Sequence, residues 1–322
     1  MVQGRDNAYS GGEGSASNPF ILKKAGDLQE LSATSMDWAS DVYLKLEADL
    51  DASGLTMPIG SKGSPFKAHF DGNKHSINNL TLTSTTLGEA TGLFGAIDGA
   101  EIKDLGVVNA KVSGTTFVGA LTGYALSGNI QRCFATGNVT GTSICVGGLV
   151  GENVGATLRD CYANVSVKNS NDYATGGFVG KNLGNIVNTY ASGELTAYDY
   201  AGGFVGANYG HISQSIALNP RINASLDYVA RFGGNNNSRN NVEGNCSWAG
   251  MGNTNWSQHG DHADTYGTEV LMNPAEFTSL MGWDFDNVWE WKTENDLQYP
   301  ALRGLPNQTN TLSPELYGST GV

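Results

Sequence analysis

Three Asp-Tyr pairs, Asp172-Tyr173, Asp199-Tyr200 and Asp227-Tyr228, recur at intervals of 27 and 28 residues. If successive copies lie in register one strand spacing apart, about 4.8 Å, three carboxylates stack beside three phenols. Carboxylates that close either raise one another's pKa or recruit a cation such as Ca²⁺, whose oxygen ligands suit such a column. Acidic and aromatic residues along one face would also suit a carbohydrate, by analogy of fold alone. The plainer expectation is that the column points into solvent and spreads its charge. Asp172, Asp199 and Asp227 are thus candidate calcium ligands, and with Tyr173, Tyr200 and Tyr228 they are candidate ligand-binding residues. No other cofactor is expected.

Other arrangements that could do chemistry are weaker. A zinc peptidase needs an H-E-x-x-H helix, and the five histidines, His69, His75, His211, His259 and His262, include none. His259-Gly-Asp-His262 is a close pair, but it sits in a Gly/Asn-rich stretch with no helical frame, so a solvated loop is expected. No G-x-S-x-G elbow occurs, and no cysteine adjoins a histidine, so protease chemistry is not expected and no catalytic residue is assigned. Asp49-x-Asp51-x-Ser53-Gly54 begins like a calcium loop but has Gly60 where the bidentate Glu belongs, and it reads as a corner turn. Neighbouring rungs bring carboxylates to the separations glycoside hydrolysis uses, so spacing cannot mark a catalytic pair.

What must position these residues is a repeat. GLFG at 92–95, GALTG at 119–123, GGLVG at 147–151, GGFVG at 176–180 and GGFVG at 202–206 are followed by a decayed copy, Arg231-Phe232-Gly233-Gly234. The closing glycines Gly95, Gly123, Gly151, Gly180, Gly206 and Gly234 are 28, 28, 29, 26 and 28 residues apart. Gly-x-Asn recurs at Asn153, Asn182, Asn208 and Asn236, then an apolar residue at Ile102, Ile130, Leu158, Ile186 and Ile212. Leu105, Cys133, Cys161, Thr189 and Ser215 follow, and then Phe134-Ala135, Tyr162-Ala163, Tyr190-Ala191 and Ile216-Ala217. Between landmarks the pattern alternates with a strand period and shows no helical one. A propeller blade needs a repeat nearer 40 residues. The reading is therefore all-β: a single-stranded parallel β-solenoid, or β-helix, of about 28-residue coils with short helical and aromatic caps at both ends.

In such a stack Asn153, Asn182, Asn208 and Asn236 form a structural amide ladder. The glycines supply either positive φ or room for close backbone approach. Cys133 and Cys161 share a phase within disulfide reach, yet Thr189 and Ser215 continue the column, so a ladder of small buried side chains is the expectation over a disulfide. The division expected is a flexible segment at 1–16, an N-terminal cap with irregular first coils at 17–90, the repeat solenoid at 91–250, a C-terminal cap at 251–306 and a tail at 307–322. Both sheet edges need covering. Ala25–Leu31 reads as a short helix and Val42–Leu46 as a strand. Thr268–Met281 reads as a helix interrupted near Pro274, and Trp283, Phe285, Trp289, Trp291, Tyr299 and Leu302 as an apolar lid on the last coil.

Composition narrows the function. The 322 residues carry a net charge of −13, which repels a phosphate backbone, so nucleic acid is excluded as a partner. Charged residues are 15%, against roughly a quarter in an average protein. No run approaches the roughly 18 apolar residues of a membrane span. The first twenty residues lack a signal-peptide core, so the chain is expected to be cytoplasmic or to have had a signal removed. Four cysteines without a C-x-x-C pair make a zinc site improbable.

The GGLVG and GGFVG copies, followed by Asn and then CFA, CYA or TYA, resemble the GLUG-motif repeats of secreted and surface bacterial proteins. These include adhesins and proteins described as immunoglobulin A peptidase candidates. NPFILKKAGDLQELS, YLKLEADLDASG and HFDGNKHSINNLTL are similar to that family's lead-in, and WDFDNVWEW with YPALRGL to its closing segment. The resemblance spans about residues 17 to 305 and implies an extracellular bacterial location, with the signal removed, and an adhesive or carbohydrate-related role. It implies no defined chemistry. The leading expectation is a non-enzymatic, adhesin-like or structural solenoid that binds polysaccharide or a host or cell-surface partner along a lateral face. The alternatives are a carbohydrate-active hydrolase or lyase using carboxylates on that face, and a self-assembling subunit of an extracellular filament.

Overall fold

In a computed structural model that describes residues 9–170, 173–224, 228–236, 242–253, 256–257, 260–294 and 297–309, the chain winds into about eight turns spaced ~28 residues apart. Coils pair in parallel, so equivalent residues stand above one another. Phe20, Leu44, Phe70, Ile102, Ile130, Leu158, Ile186 and Ile212 form one such column across successive coils. Val112, Val139, Val167, Leu195 and Ile222 form another. Alternate residues along each short strand point inward, and both columns lie in the buried core. Phe178, Phe204 and Phe232 add a ring stack with centroids 4.9 Å apart, the strand spacing itself.

The corners come from backbone in the left-handed region, at residues other than glycine. Asp104, Arg132, Asp160, Asn188 and Gln214 turn one corner with φ between 46° and 55°. Side chains offset the strain along the stack. Arg132 grips Asp104 through two bonds of 2.6 and 2.7 Å, and Asn188 Nδ2 donates to Asp160 at 3.2 Å. The next residue in each coil reaches back across the corner: Cys133 Sγ to the Gln131 carbonyl (3.3 Å), Cys161 Sγ to that of Arg159 (3.1 Å) and Ser215 Oγ to that of Ser213 (2.9 Å). This contact requires a short side chain with a donor, which is why Cys and Ser share the phase. Thr189 joins the column by a 3.0 Å contact to Ser215 Oγ, and both thiols are free.

The repeat glycines serve close approach. A Cβ on Gly176 would lie 2.0 Å from the Val179 carbonyl oxygen, and one on Gly206 would lie 2.3 Å from the Thr175 nitrogen. Two backbone segments of each coil, joined by a two-residue loop, pack against one another with no side chain between them. One segment belongs to the small parallel sheet of Val146–Gly147, Thr175–Gly176, Ala201–Gly202 and Val229–Ala230. The other is the Val150–Asn153, Val179–Asn182, Val205–Asn208 and Gly233–Asn236 series.

Both ends depart from the repeat. The first turn of helix α1 (Ala25–Ala33) is closed by Asp27, whose carboxylate reaches back to accept from the Lys23 and Lys24 nitrogens at 2.8 and 3.1 Å. Residues expected to be flexible are held here: the Ser10 nitrogen donates to the Ile21 carbonyl (3.0 Å), the Ile21 nitrogen to that of Gly11 (2.8 Å), and Tyr9 is buried with its hydroxyl on Asp37. They cover the free edge of Phe20–Leu22.

Helices α2 (Thr268–Leu271) and α3 (Pro274–Met281) are separated at Asn273, whose side chain caps α3, and Gly282 ends α3 in the left-handed region. The aromatic segment beyond them is an antiparallel hairpin, Trp289–Glu294 with Leu297–Leu302. The expectation placed it on the last coil. It instead runs back along a lateral face, over the outward rings of Phe134, Tyr162 and Tyr190, stacked at 5.0 and 4.7 Å. Tyr190 donates to the Pro300 carbonyl (2.8 Å), Tyr162 to Gln308 Oε1 (3.2 Å), and Asn307 reaches Asp49 and Ser76. Residues 307–309, expected to begin a tail, therefore belong to this cover. The last coil is closed by the stretch through Asp264–Tyr266, which pairs with Cys246–Trp248.

Candidate functional site

The glycine contact shapes one lateral face. Because the two backbone segments touch, the residue entering the loop and the residue leaving it stand side by side on the outside of the coil. On the entering side are Phe117, Cys145, Ala174, Tyr200 and Tyr228, all at φ between 47° and 69°. On the leaving side are Tyr124, Glu152, Lys181 and Ala207. Two residues further on, Leu126, Val154, Leu183 and Tyr209 form a corner column in which Leu126, Leu183 and Tyr209 are 41%, 41% and 40% exposed. Met36, Met57, Leu87 and Tyr198 are more exposed elsewhere, so what sets this row apart is its alignment along one face rather than exposure alone.

The tyrosines join these rows. Tyr173 and Tyr200 have centroids 4.5 Å apart at 51°, and Tyr200 and Tyr228 stack at 4.5 Å and 4°. Tyr173 shares a hydrogen bond with the Tyr209 hydroxyl across the strip. Burial pushes the Tyr173 phenol well up, aided by that bond, and burial followed by the Tyr228 and Asp199 charges raises Tyr200. Both phenols therefore stay neutral donors and acceptors. At the N-terminal end of the strip Phe117 and Tyr124 meet edge to face at 5.2 Å, with Lys62 Nζ above both. Lys181 pairs with Glu152 at 2.9 Å and lies 5.9 Å from the Tyr209 ring.

The Asp-Tyr column differs in register from the sequence expectation. Thr175 pairs with Ala201, a step of 26 residues, whereas the Asp-Tyr pairs on either side of that step are 27 apart. Tyr173 is consequently level with Asp199, and Ala174 with Tyr200. The Cys145 nitrogen bonding to the Tyr173 carbonyl and the Thr175 nitrogen to that of Tyr200 fix this phase. The rings nevertheless meet, because Tyr173 leans across the offset. Asp199 accepts from the Tyr200 nitrogen at 2.7 Å, while Asp172 and Asp227 lie outside the described residues.

The amide ladder is present. Asn153 Nδ2 donates to Asn182 Oδ1 and Asn182 Nδ2 to Asn208 Oδ1, both at 2.9 Å and fully buried. Asn153 also binds the Ala156 nitrogen and carbonyl, closing its own turn. The backbone of Asn236 pairs with Asn208 in the same column. Below Asn153 the column continues as Ala125 and Ile97.

Elsewhere, His262 is fixed to backbone: the Arg231 nitrogen donates to its Nδ1 (3.3 Å) and its Nε2 meets the Ser257 carbonyl (3.1 Å). It is half-buried against the edge of Trp256, so the solvated loop expected there is a packed one, and His259 lies outside the described residues. Asp51 accepts from Ser53, the bonds of a corner turn, while Asp49 accepts from the Ser76 nitrogen of the next coil. Among the described residues no group of three or more His, Cys, Asp or Glu is arranged to hold a metal ion. Sequence reasoning missed Phe117, Tyr124, Leu126, Leu183 and Tyr209. Their phase against the glycines was visible, but only the glycine contact shows that the rows on its two sides share a face.

Comparison with known proteins agrees with this construction. The family model "The GLUG motif" matches residues 142–168. Halomucin of Haloquadratum walsbyi is 34% identical over 123 residues, which is 36% of this chain and 1% of halomucin. A "Putative Gly-rich membrane protein" of Evansella cellulosilytica is 28% identical over 140 residues, 40% of this chain and 16% of that protein. The matches thus span only a small part of either relative. The crystal structure of a "putative immunoglobulin A1 protease from Bacteroides ovatus" superposes with a TM-score of 0.74 at 22% identity, covering 92% of this chain and 96% of that one, a likeness of fold. Residues 142–168, which hold Gly147, Gly151, Asn153 and Cys161, carry the GLUG motif, and the chain is a parallel β-solenoid built around it.

Proposed function

We propose that this chain is a non-enzymatic binding module of a secreted or surface-attached bacterial protein, and that it holds a glycan along the strip of Tyr124, Tyr173, Tyr200, Tyr209 and Tyr228, headed by the buried Phe117. The observation that carries the reading is the strip itself. It is an extended row of aromatic and aliphatic side chains edged with phenol hydroxyls, on the lateral face where Leu126, Leu183 and Tyr209 are exposed. Apolar surface with a few placed polar groups is what a sugar chain requires, and repetition at strand spacing suits an extended ligand. Tyr200 and Tyr228 cover one another's ring faces and so contribute hydroxyl edges, while Tyr209 and Leu183 supply apolar contact. A membrane protein among the relatives supports the surface setting.

The thiols favour binding over a cysteine-dependent hydrolysis. All four cysteines are buried, and burial pushes Cys145, Cys161 and Cys246 up, away from the thiolate a nucleophile needs. Calcium remains part of the proposal at Asp199, so the test is run with and without it. Polysaccharide pull-down with wild type and with Tyr200→Ala/Tyr209→Ala tests the reading. Retention by wild type and at least about tenfold weaker retention by the double variant is expected, a loss of ~1.4 kcal/mol. Equal retention by both would remove the strip from the site.

A further inference from the structure

We propose that the cleft at the N-terminal head of the strip receives the terminal residue of the glycan, and that this residue bears a carboxylate recognised by Lys62. The proposal rests on the glycan-binding reading of the strip and adds to it the direction of the chain and the chemistry of its end.

A cleft of about 540 Å³ lies beside the strip, lined among others by Trp38, Met57, Pro58, Lys62, Glu89 and Ala90. Its size falls within the range of small-ligand sites, roughly 300–1,000 Å³. Lys62 belongs to both surfaces. It lines the cleft, and its ammonium stands 4.4 Å from the Phe117 centroid and 5.1 Å from that of Tyr124. Two ring faces hold the charge in place at the junction.

Among the described residues no carboxylate pairs with Lys62, in contrast to Lys23, Lys67, Lys103 and Lys181; Lys45, Lys74, Lys111 and Lys168 have none either, but of these five Lys62 is the one seated over aromatic rings. Glu89, the carboxylate in the cleft lining, instead accepts the Ser84 hydroxyl at 2.8 Å. A cation fixed by aromatic rings at the mouth of a cleft, and left without a counter-ion in a chain of net charge −13, is a complementary site for one anionic group. The net charge also limits how many such groups the ligand carries. A polyanion lying along the strip would meet Asp199, with Glu152 already neutralised by Lys181, whereas a single acidic end meets Lys62 alone.

The order of coils gives the direction. Ser32 and Trp38 of the cap line the cleft, residues 56–63 and 82–91 form its body, and the strip begins at Phe117. A chain lying on the strip and running toward the N-terminal end therefore meets the cap at this cleft and terminates there.

The test uses pairs of oligosaccharides that differ only in their terminal sugar, carboxylated or with that carboxyl reduced to an alcohol, titrated against wild type, Lys62→Gln and Tyr200→Ala/Tyr209→Ala. Wild type is expected to bind the carboxylated member about tenfold more tightly, with the preference falling as salt rises. Lys62→Gln is expected to abolish the preference while still binding the reduced member. The tyrosine variant is expected to weaken both members and keep the preference. Lys62 is exposed, so its replacement leaves thermal unfolding unchanged. Equal binding of both members by wild type, or a preference that survives Lys62→Gln, overturns the proposal while leaving the strip reading intact. Absence of binding to every member overturns both.

Discussion

Gly176 and its equivalents Gly147 and Gly202 lie where any side chain would enter a backbone carbonyl, since a Cβ at each would stand 2.0 Å from an oxygen three residues on. Gly176→Ala is expected to lower stability by roughly 3 kcal/mol or more, because backbone and not a flexible side chain must yield. Gly63→Ala, with nothing within 4 Å, is expected to change it by less than about 0.5 kcal/mol. Urea unfolding midpoints of the two variants check this. At Asn182 the loss is of hydrogen bonds: Asn182→Ala removes the acceptor of Asn153 and the donor to Asn208, both buried, at about 2–3 kcal/mol in the same assay. Tyr173 has a phenol pKa raised above its unfolded value, so its contribution is complete below the unfolded pKa of about 10 and is lost as pH rises through the folded value. Ultraviolet difference titration is expected to show Tyr173 ionising later than free tyrosine, and Tyr173→Phe is expected to remove that late component. The Asn ladder and the Cys-Ser column were legible because successive copies from residue 133 onward keep Asn, or a small Cys, Thr or Ser, at one phase. The offset of Tyr173 was not, because a 27-residue interval between look-alike pairs conceals a 26-residue backbone step.

Among the elements, the C-terminal hairpin departs furthest from expectation. Its aromatic content identified it as a cover, but its target depends on which outward column needs one. Phe134, Tyr162 and Tyr190 face outward from strands whose alternate residues, Ala135, Ala163 and Ala191, fill the interior, and all six are buried. Three stacked rings outside the coil cannot stay in water without a partner, and Trp283 and Trp289, 6.3 and 6.0 Å from Tyr190, provide it. Alternation alone does not state which face of a solenoid strand is inside, so the sequence left that column's orientation open. Trp289→Ala is expected to cost about 3–5 kcal/mol and to increase binding of an apolar dye, as the ring column becomes accessible. Tyr190→Phe, which loses the bond to the Pro300 carbonyl and keeps the stack, is expected to cost about 1 kcal/mol.

Across the whole molecule, parallel register turns a short motif into a continuous surface. The repeat interval, the strand character and the amide ladder carried the architecture in the sequence, because each recurs across several successive coils through the same contact. The strip proposed to hold the glycan was less legible, since it joins residues from three phases of the coil and its members vary from Phe to Tyr to Leu. The covered edge at Phe20–Leu22, held by residues 10 and 11, opposes end-to-end stacking and directs attention to the lateral face. The central claim is that this face binds a glycan without altering it. A glycan array read for retention and for released sugar in the same wells, with and without calcium, tests it most directly. The account expects retention that depends on Tyr200 and Tyr209, with no sugar released. Release of reducing or unsaturated ends, or retention of no glycan under either condition, would contradict it.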